Sequence, residues 1–269
     1  MIVEFVGLGG CGKSTVSHAV ADVLRGALQP VSERSFEIAH RLAPSPRRLA
    51  KLRLALRTVL LRPRSALSLV FEIARGGQYS WREGIAKTSD LLYICGLIAQ
   101  QSRRPGIHLF DQGFFGGLWS VCFRARSSLP LERLVELGTR CCGRSPADLV
   151  VVLEVEPATA VARLHGRSGT ASRLELRMAH PAFERDLHRA ISSLRHVRET
   201  VCARERAWDV HALRNDEAGA PDACASEIAD RILRCLSGAL PASELEWPRP
   251  PLARSARTSR ERRGGPESR

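Results

Sequence analysis

Gly7-Leu8-Gly9-Gly10-Cys11-Gly12-Lys13-Ser14, followed by Thr15, is the stretch on which the fold turns. Its four glycines leave the backbone free to curl with its N–H groups facing inward, because no Cβ crowds the turn. Two different periodicities bracket it. Before it, Ile2-Val3-Glu4-Phe5-Val6 reads as a short apolar strand; after it, Val16, Val20, Val23 and Leu24 recur at helical spacing between Lys13 and Arg25. Strand, glycine turn and helix in that order gather backbone donors at the positive end of a helix, which makes a cradle for a polyphosphate. Lys13 can then reach the β- and γ-phosphates, and the Ser14 hydroxyl suits a magnesium ligand. Gly7 to Thr15 is therefore expected to hold the phosphates of ATP or GTP. Cys11, inside the loop, is expected to be a tolerated variable position rather than a redox centre.

Working outward, a second strand is expected near Val31 to Ile38, then a long arginine-rich helical stretch broken by Pro44, Pro46 and Pro63. Trp81 to Gln101 reads as a long helix. Ile107 to Phe110 reads as a buried strand ending on Asp111, and Leu131 to Cys142 as an amphipathic helix with Cys141 and Cys142 on one flank. Asp148 to Leu153 is the clearest strand. Helices are expected from Pro157 to His165 and from Pro181 to Arg206, a short strand from Ala207 to Val210, and a closing helix from Ala223 to Leu236. Strands alternating with helices imply an α/β fold, with a five-stranded parallel sheet covered on both faces. Residues 1–238 are expected to form one domain. Residues 239–269, rich in Pro, Arg and Ser without a period, read as a disordered basic tail.

Composition narrows the class. The 269 residues carry a formal charge of +13 with 44% hydrophobic residues, ordinary for a globular chain. No apolar run approaches the ~20 residues of a membrane span. The first strand runs straight into the loop, leaving no room for a leader, so the cytosol is the expected compartment. Eight scattered cysteines without CxxC pairs argue against a cysteine metal site. The positive charge is almost all arginine, with lysine only at 13, 51 and 87. Such a bias follows coding composition, so nucleic acid is not the expected partner. In the basic stretch Arg41 to Arg64, Leu49, Leu52, Leu56 and Leu60 can share one helix face. A solvated helix packed on the sheet is the plain reading; an anionic substrate, an anionic membrane surface and an acidic partner are the others.

Asp111 stands at the carboxyl end of a strand, where ligands of open α/β sheets collect. It can hold magnesium through water or accept a proton from an acceptor. No Asn-Lys-x-Asp base-reading motif of translation-type GTPases occurs. Arg75-Gly76-Gly77-Gln78 matches part of a transport-ATPase signature, but those enzymes carry Glu after the strand-end Asp, where this chain has Gln112.

The remaining pattern resembles the thymidylate kinase-like branch of the nucleoside and nucleoside monophosphate kinases, over roughly residues 1–236. The marks are the N-terminal P-loop, the strand ending in Asp111, and Pro146-Ala147-Asp148-Leu149-Val150-Val151-Val152-Leu153-Glu154-Val155-Glu156-Pro157. Arg163-Leu164-His165-Gly166-Arg167 and Ser172-Arg173-Leu174-Glu175 follow. The resemblance implies a P-loop NTPase fold with an arginine-bearing lid at about 166–177. In it Arg167 and Arg173 would meet the transferring phosphoryl group and Arg163 would support them. Two positions depart from the family: Gly9 replaces an acidic loop residue, and Gln112 replaces the arginine that engages the acceptor. Gln112 suits a neutral hydroxyl or amide. Trp119 and Ser120 follow the Asp-Gln-Gly turn, with a core role for the tryptophan the simpler expectation.

The expected function is an ATP- and Mg²⁺-dependent small-molecule kinase. Lys13, Asp111 and the three arginines are its catalytic candidates, Ser14 and Asp111 its metal side, and Asp111 and Gln112 its acceptor side. A nucleoside- or nucleotide-like acceptor leads; a homodimer is left open. The competing readings are an ATP-hydrolysing switch or assembly protein and a nucleic-acid end kinase.

Overall fold

Ile2–Gly7 (β1) is buried along its whole length, as a strand covered on two faces must be. The computed structural model describes residues 1–78, 80–123, 125–166, 181–203, 209–216 and 220–238. After β1 come Lys13–Gly26 (α1), Val31–Ser32 (β2), Arg34–Phe36 (α2) and a π-helical turn at Glu37–Arg41. Then follow Pro44–Leu61 (α3), Pro63–Arg75 (α4), Trp81–Gln101 (α5), Ile107–Phe110 (β3), Phe114–Phe123 (α6) and Leu131–Cys142 (α7). Leu149–Glu154 (β4), Pro157–His165 (α8), Phe183–Cys202 (α9), Asp209–Arg214 (β5) and Ala220–Ser237 (α10) complete the described chain.

The sheet has the order β2-β3-β1-β4-β5, and every pairing is parallel. Alternate residues of β1 serve opposite layers. Val3 and Phe5 join Val16, Val20 and Leu24 of α1 and Ile228 and Ile232 of α10 on one face. Ile2 and Val6 join Leu91, Leu97, Phe114, Phe115 and Leu134 of the α5–α6–α7 layer on the other. The result is the expected three-layer P-loop NTPase fold. Its switch point lies at β1, whose neighbours β3 and β4 are reached by crossovers in opposite directions, so a crevice opens at the carboxyl ends of these strands.

The helix α3 runs against α5 at close range, with Gly96 at the contact. A Cβ there would come within 2.6 Å of the Leu54 carbonyl and of Thr58 Oγ1. Thr58 Oγ1 in turn donates to the Leu92 carbonyl at 3.0 Å. The expected break at Pro63 falls between α3 and α4, where Arg62 leaves the helical region; Pro44 and Pro63 each stand at the start of a helix, because a missing N–H costs nothing in a first turn. The leucine face expected to pack is turned outward: Leu49, Leu52, Leu56 and Leu60 are all at least half exposed.

Three boundaries differ from expectation. The second strand is two residues long, and Arg34–Phe36 is helical where strand was expected; β2 is an edge strand paired only through Val31 and Ser32 to β3. The fifth strand is Asp209–Arg214, later than the apolar run at Ala207 to Val210 suggested. Between Asp111 and α7 a whole helix, α6, was not anticipated. Its segment Phe-Phe-Gly-Gly-Leu-Trp-Ser-Val-Cys-Phe carries two glycines. The cap comes from β1: Glu4 Oε1 accepts from the Gly116 N–H at 2.8 Å, across 112 residues of sequence. The tail, 239–269, and most of the expected lid, 167–177, lie outside the described residues.

Candidate active site

The β1 strand ends at Gly7, and α1 begins at Lys13. Between them Gly10 and Gly12 take φ of +85° and +89°, a backbone region open to glycine and costly for other residues. Gly12 is doubly required, since a Cβ would sit 2.5 Å from Asn215 Nδ2. That amide, immediately after β5, donates to the Cys11 carbonyl at 2.8 Å and fastens the loop to the far side of the sheet. Lys13 Nζ donates to the carbonyls of Gly7 and Leu8, each at 2.9 Å, and so arches over the loop. Leu8 and Cys11 face the interior. The Cys11 thiol is wholly buried and lies where a Cβ on Gly7 would fall, so its described role is packing beneath the loop.

Beside the loop, Asp111 is 3% exposed. Its Oδ2 accepts from Ser14 Oγ at 3.0 Å and its Oδ1 from Ser35 Oγ at 3.1 Å. The short helix α2 thus replaces the expected strand with a hydroxyl that orients the carboxylate. Among the described residues no cluster of three His, Cys, Asp or Glu could hold a metal. The available donors are two hard oxygens, from Ser14 and Asp111, next to a phosphate loop. That set fits a magnesium ion drawing its other ligands from phosphate and water.

Gly7, Gly9, Gly10, Gly12, Lys13, Ser14 and Thr15 line one end of a cavity of about 670 Å³. Past Asp111 and the exposed Gln112 the same cavity continues to a chamber bounded by Lys51, Lys87, Asp90, Tyr93, Trp119 and Ser120. Trp119, expected chiefly in the core, serves both places. Its ring stacks on Phe123 with centroids 5.8 Å apart, and its Nε1 donates to the Ala190 carbonyl at 2.9 Å. Burial, with the charges of Asp90 and Asp111 added, raises the Tyr93 phenol well above its usual range, so Tyr93 is a neutral donor.

Arg163 also lines this cavity. Its guanidinium donates to the Asn215 and Asp216 carbonyls at 2.7 and 3.2 Å, which braces the chain leaving β5. Arg167 and Arg173 lie outside the described residues. Arg75-Gly76-Gly77-Gln78 closes α4 and does not border the cavity.

Glu4 is the functional-looking residue the sequence did not single out. It is fully buried on the α6 side of β1. Burial pushes its carboxyl up to about 8, against the opposing pull of the Gly116, Phe115 and Phe114 N–H groups. Gly113 gives it room, since a Cβ at 113 would overlap the carboxyl. Glu4 therefore holds the start of α6, and with it the Asp111-Gln112-Gly113 turn, against the sheet.

No family model and no characterised protein sequence matches the chain. Solved structures similar in outline include deoxyadenosine kinase from M. mycoides with bound dATP. That structure has 12% identity and a TM-score of 0.45, over 87% of this chain and 100% of the other. The same enzyme with dCMP and dCDP gives 12% and 0.43 over 89% and 100%; with dCTP it gives 11% and 0.42 over 88% and 100%. At these values the likeness carries no argument about chemistry, and the fold class rests on the chain's own strand order and phosphate loop.

Proposed function

We propose that this chain is an ATP- and Mg²⁺-dependent phosphotransferase acting on a small, nucleoside- or nucleotide-like acceptor. The observation that carries the reading is that one cavity of about 670 Å³ takes in both the phosphate loop and, past Asp111, the Lys51, Lys87, Tyr93 and Trp119 side chains. A switch protein needs the loop but has no use for the chamber.

In this reading the inward N–H groups of Gly7 to Ser14 bind the β- and γ-phosphates. Lys13 leaves the Gly7 and Leu8 carbonyls to meet them, which moves a positive charge onto the group being transferred. Ser14 and Asp111 hold the magnesium, which when bound neutralises charge on the phosphate oxygens. The Ser14–Asp111 and Ser35–Asp111 bonds favour this metal-side role for Asp111 over that of a base. Gln112 and Tyr93 present polar groups to the acceptor, and the aromatic wall at Trp119 gives a planar group a face to stack on. Closure by Arg167 and Arg173 would exclude water and add charge at the phosphoryl group. Incubation with γ-labelled ATP, magnesium and a library of nucleosides, nucleotides and other hydroxyl compounds tests the proposal. Label should move to a library member with the wild type and not with Lys13→Ala. ATP hydrolysis indifferent to every acceptor would contradict it.

A further inference from the structure

All three lysines of the chain, Lys13, Lys51 and Lys87, line the same cavity. The other basic residues among the 41 are arginines, and Arg163 is the only one of them at this cavity among the described residues. A coding bias toward arginine accounts for the arginines but not for the place where the exceptions gather. The chemistry of the two side chains does. An ammonium is a compact point charge with three rotatable donors, whereas a guanidinium is a wide planar fork. In a cavity the first can meet an anion from one wall without filling the space.

Lys13 belongs to the phosphate loop; Lys51 and Lys87 lie outside it. They come from α3 and α5 and converge on one carboxylate, Lys51 Nζ lying 3.0 Å from Asp90 Oδ1 and Lys87 Nζ 3.5 Å from Asp90 Oδ2. Lys51 Nζ is also 5.1 Å from the centre of the Tyr93 ring. The side chains are 32% and 14% exposed, so both charges are partly removed from water, where an anion is held more strongly. Their spacing is fixed by the tight α3–α5 contact at Gly96 and the Thr58–Leu92 bond.

We propose that Lys51 and Lys87, positioned by Asp90, form an anion subsite, and that the acceptor is a small molecule carrying a phosphate or carboxylate group. The anionic group sits on the lysines, and the group to be phosphorylated points back toward Asp111 and Gln112. The loss of a family arginine at 112 is thus answered by cations from two other helices. This proposal rests on the phosphotransferase reading of the same cavity.

A chain with three lysines allows a direct test by affinity labelling. Pyridoxal 5′-phosphate and neutral pyridoxal both condense with a lysine amine to an imine with loss of water, and borohydride reduces the imine to a stable amine that mass spectrometry locates. The full chain is labelled with each aldehyde in the presence of magnesium and a non-hydrolysable ATP analogue. The expected result is labelling of Lys51 or Lys87 by the phosphorylated aldehyde at about tenfold lower concentration than by pyridoxal. Protection by a nucleoside monophosphate or glycerol 3-phosphate assigns a phosphate-bearing acceptor; protection by a hydroxy acid alone assigns a carboxylate. Equal labelling by the two aldehydes, or labelling that no competitor reduces, overturns the subsite. Failure of the phosphate-loop reading looks different: Lys13 would be labelled equally with and without the ATP analogue, whatever happens at Lys51 and Lys87.

Discussion

The two ends of the cavity are built by opposite means. The proposed phosphate end is a single run of eight residues that would bind through its backbone, held by long-range bonds to Asn215 and Asp111. The acceptor end is made of side chains from α3, α5 and α6, gathered from positions between Lys51 and Ser120. Backbone recognition needs special conformations and therefore leaves glycines in a fixed pattern. Side-chain recognition needs only that ordinary residues meet in space. This difference explains why one end announces its ligand class and the other does not.

Substitutions that affect one end and spare the other test the contrast. The largest effect is expected for Lys13→Ala, with kcat lower by about 10²–10³ for any acceptor, as for loss of one preorganised charge donor; steady-state kinetics with saturating acceptor would show it. Gly12→Ala should both weaken nucleotide binding and destabilise the fold by ~1–3 kcal/mol. The cause is the positive φ and the close Asn215 amide, and the measurement is denaturant unfolding. At the other end, Gln112→Ala should raise KM for the acceptor by about tenfold, near the upper range for one hydrogen bond. KM for ATP should stay unchanged. An equal rise in both constants would mean that the two ends are not separable.

Glu4 links the ends, because β1 carries it three residues before Gly7 while its carboxyl holds α6. Its pKa rises on folding from 4.5 to about 8. The folded protein keeps the proton through a pH range in which the unfolded chain gives it up. The associated stability is complete below about pH 4.5 and is lost as pH climbs toward 8. Glu4→Gln, which keeps an acceptor for the Gly116 N–H without a titrating group, should flatten that part of the profile. Unfolding midpoints at roughly pH 5, 6.5 and 8 would reveal the slope.

Much of the fold was legible because parallel strands buried on both faces form continuous apolar runs, as at Ile107 to Phe110 and Leu149 to Leu153. The loop was legible because only glycine tolerates φ near +85° to +89°. What escaped has common physical causes. The α6 helix is capped by a residue 112 positions away, so no local signal marks its start. Ser35 was read as strand because its turn is imposed by Asp111 rather than by its own sequence. The leucines of α3 had helical spacing but are turned to solvent, since periodicity reveals a face without saying which neighbour covers it. The acceptor lysines were visible as rarities, and only the packing of α3 on α5 made their rarity meaningful.

The most direct test of the central claim is a crystal structure of the full chain with magnesium and a non-hydrolysable ATP analogue. The β- and γ-phosphates are expected inside Gly7 to Ser14, magnesium at Ser14 on the Asp111 side, and the γ-phosphate facing the chamber beyond Gln112. A γ-phosphate directed away from that chamber, or a nucleotide bound elsewhere, would contradict it.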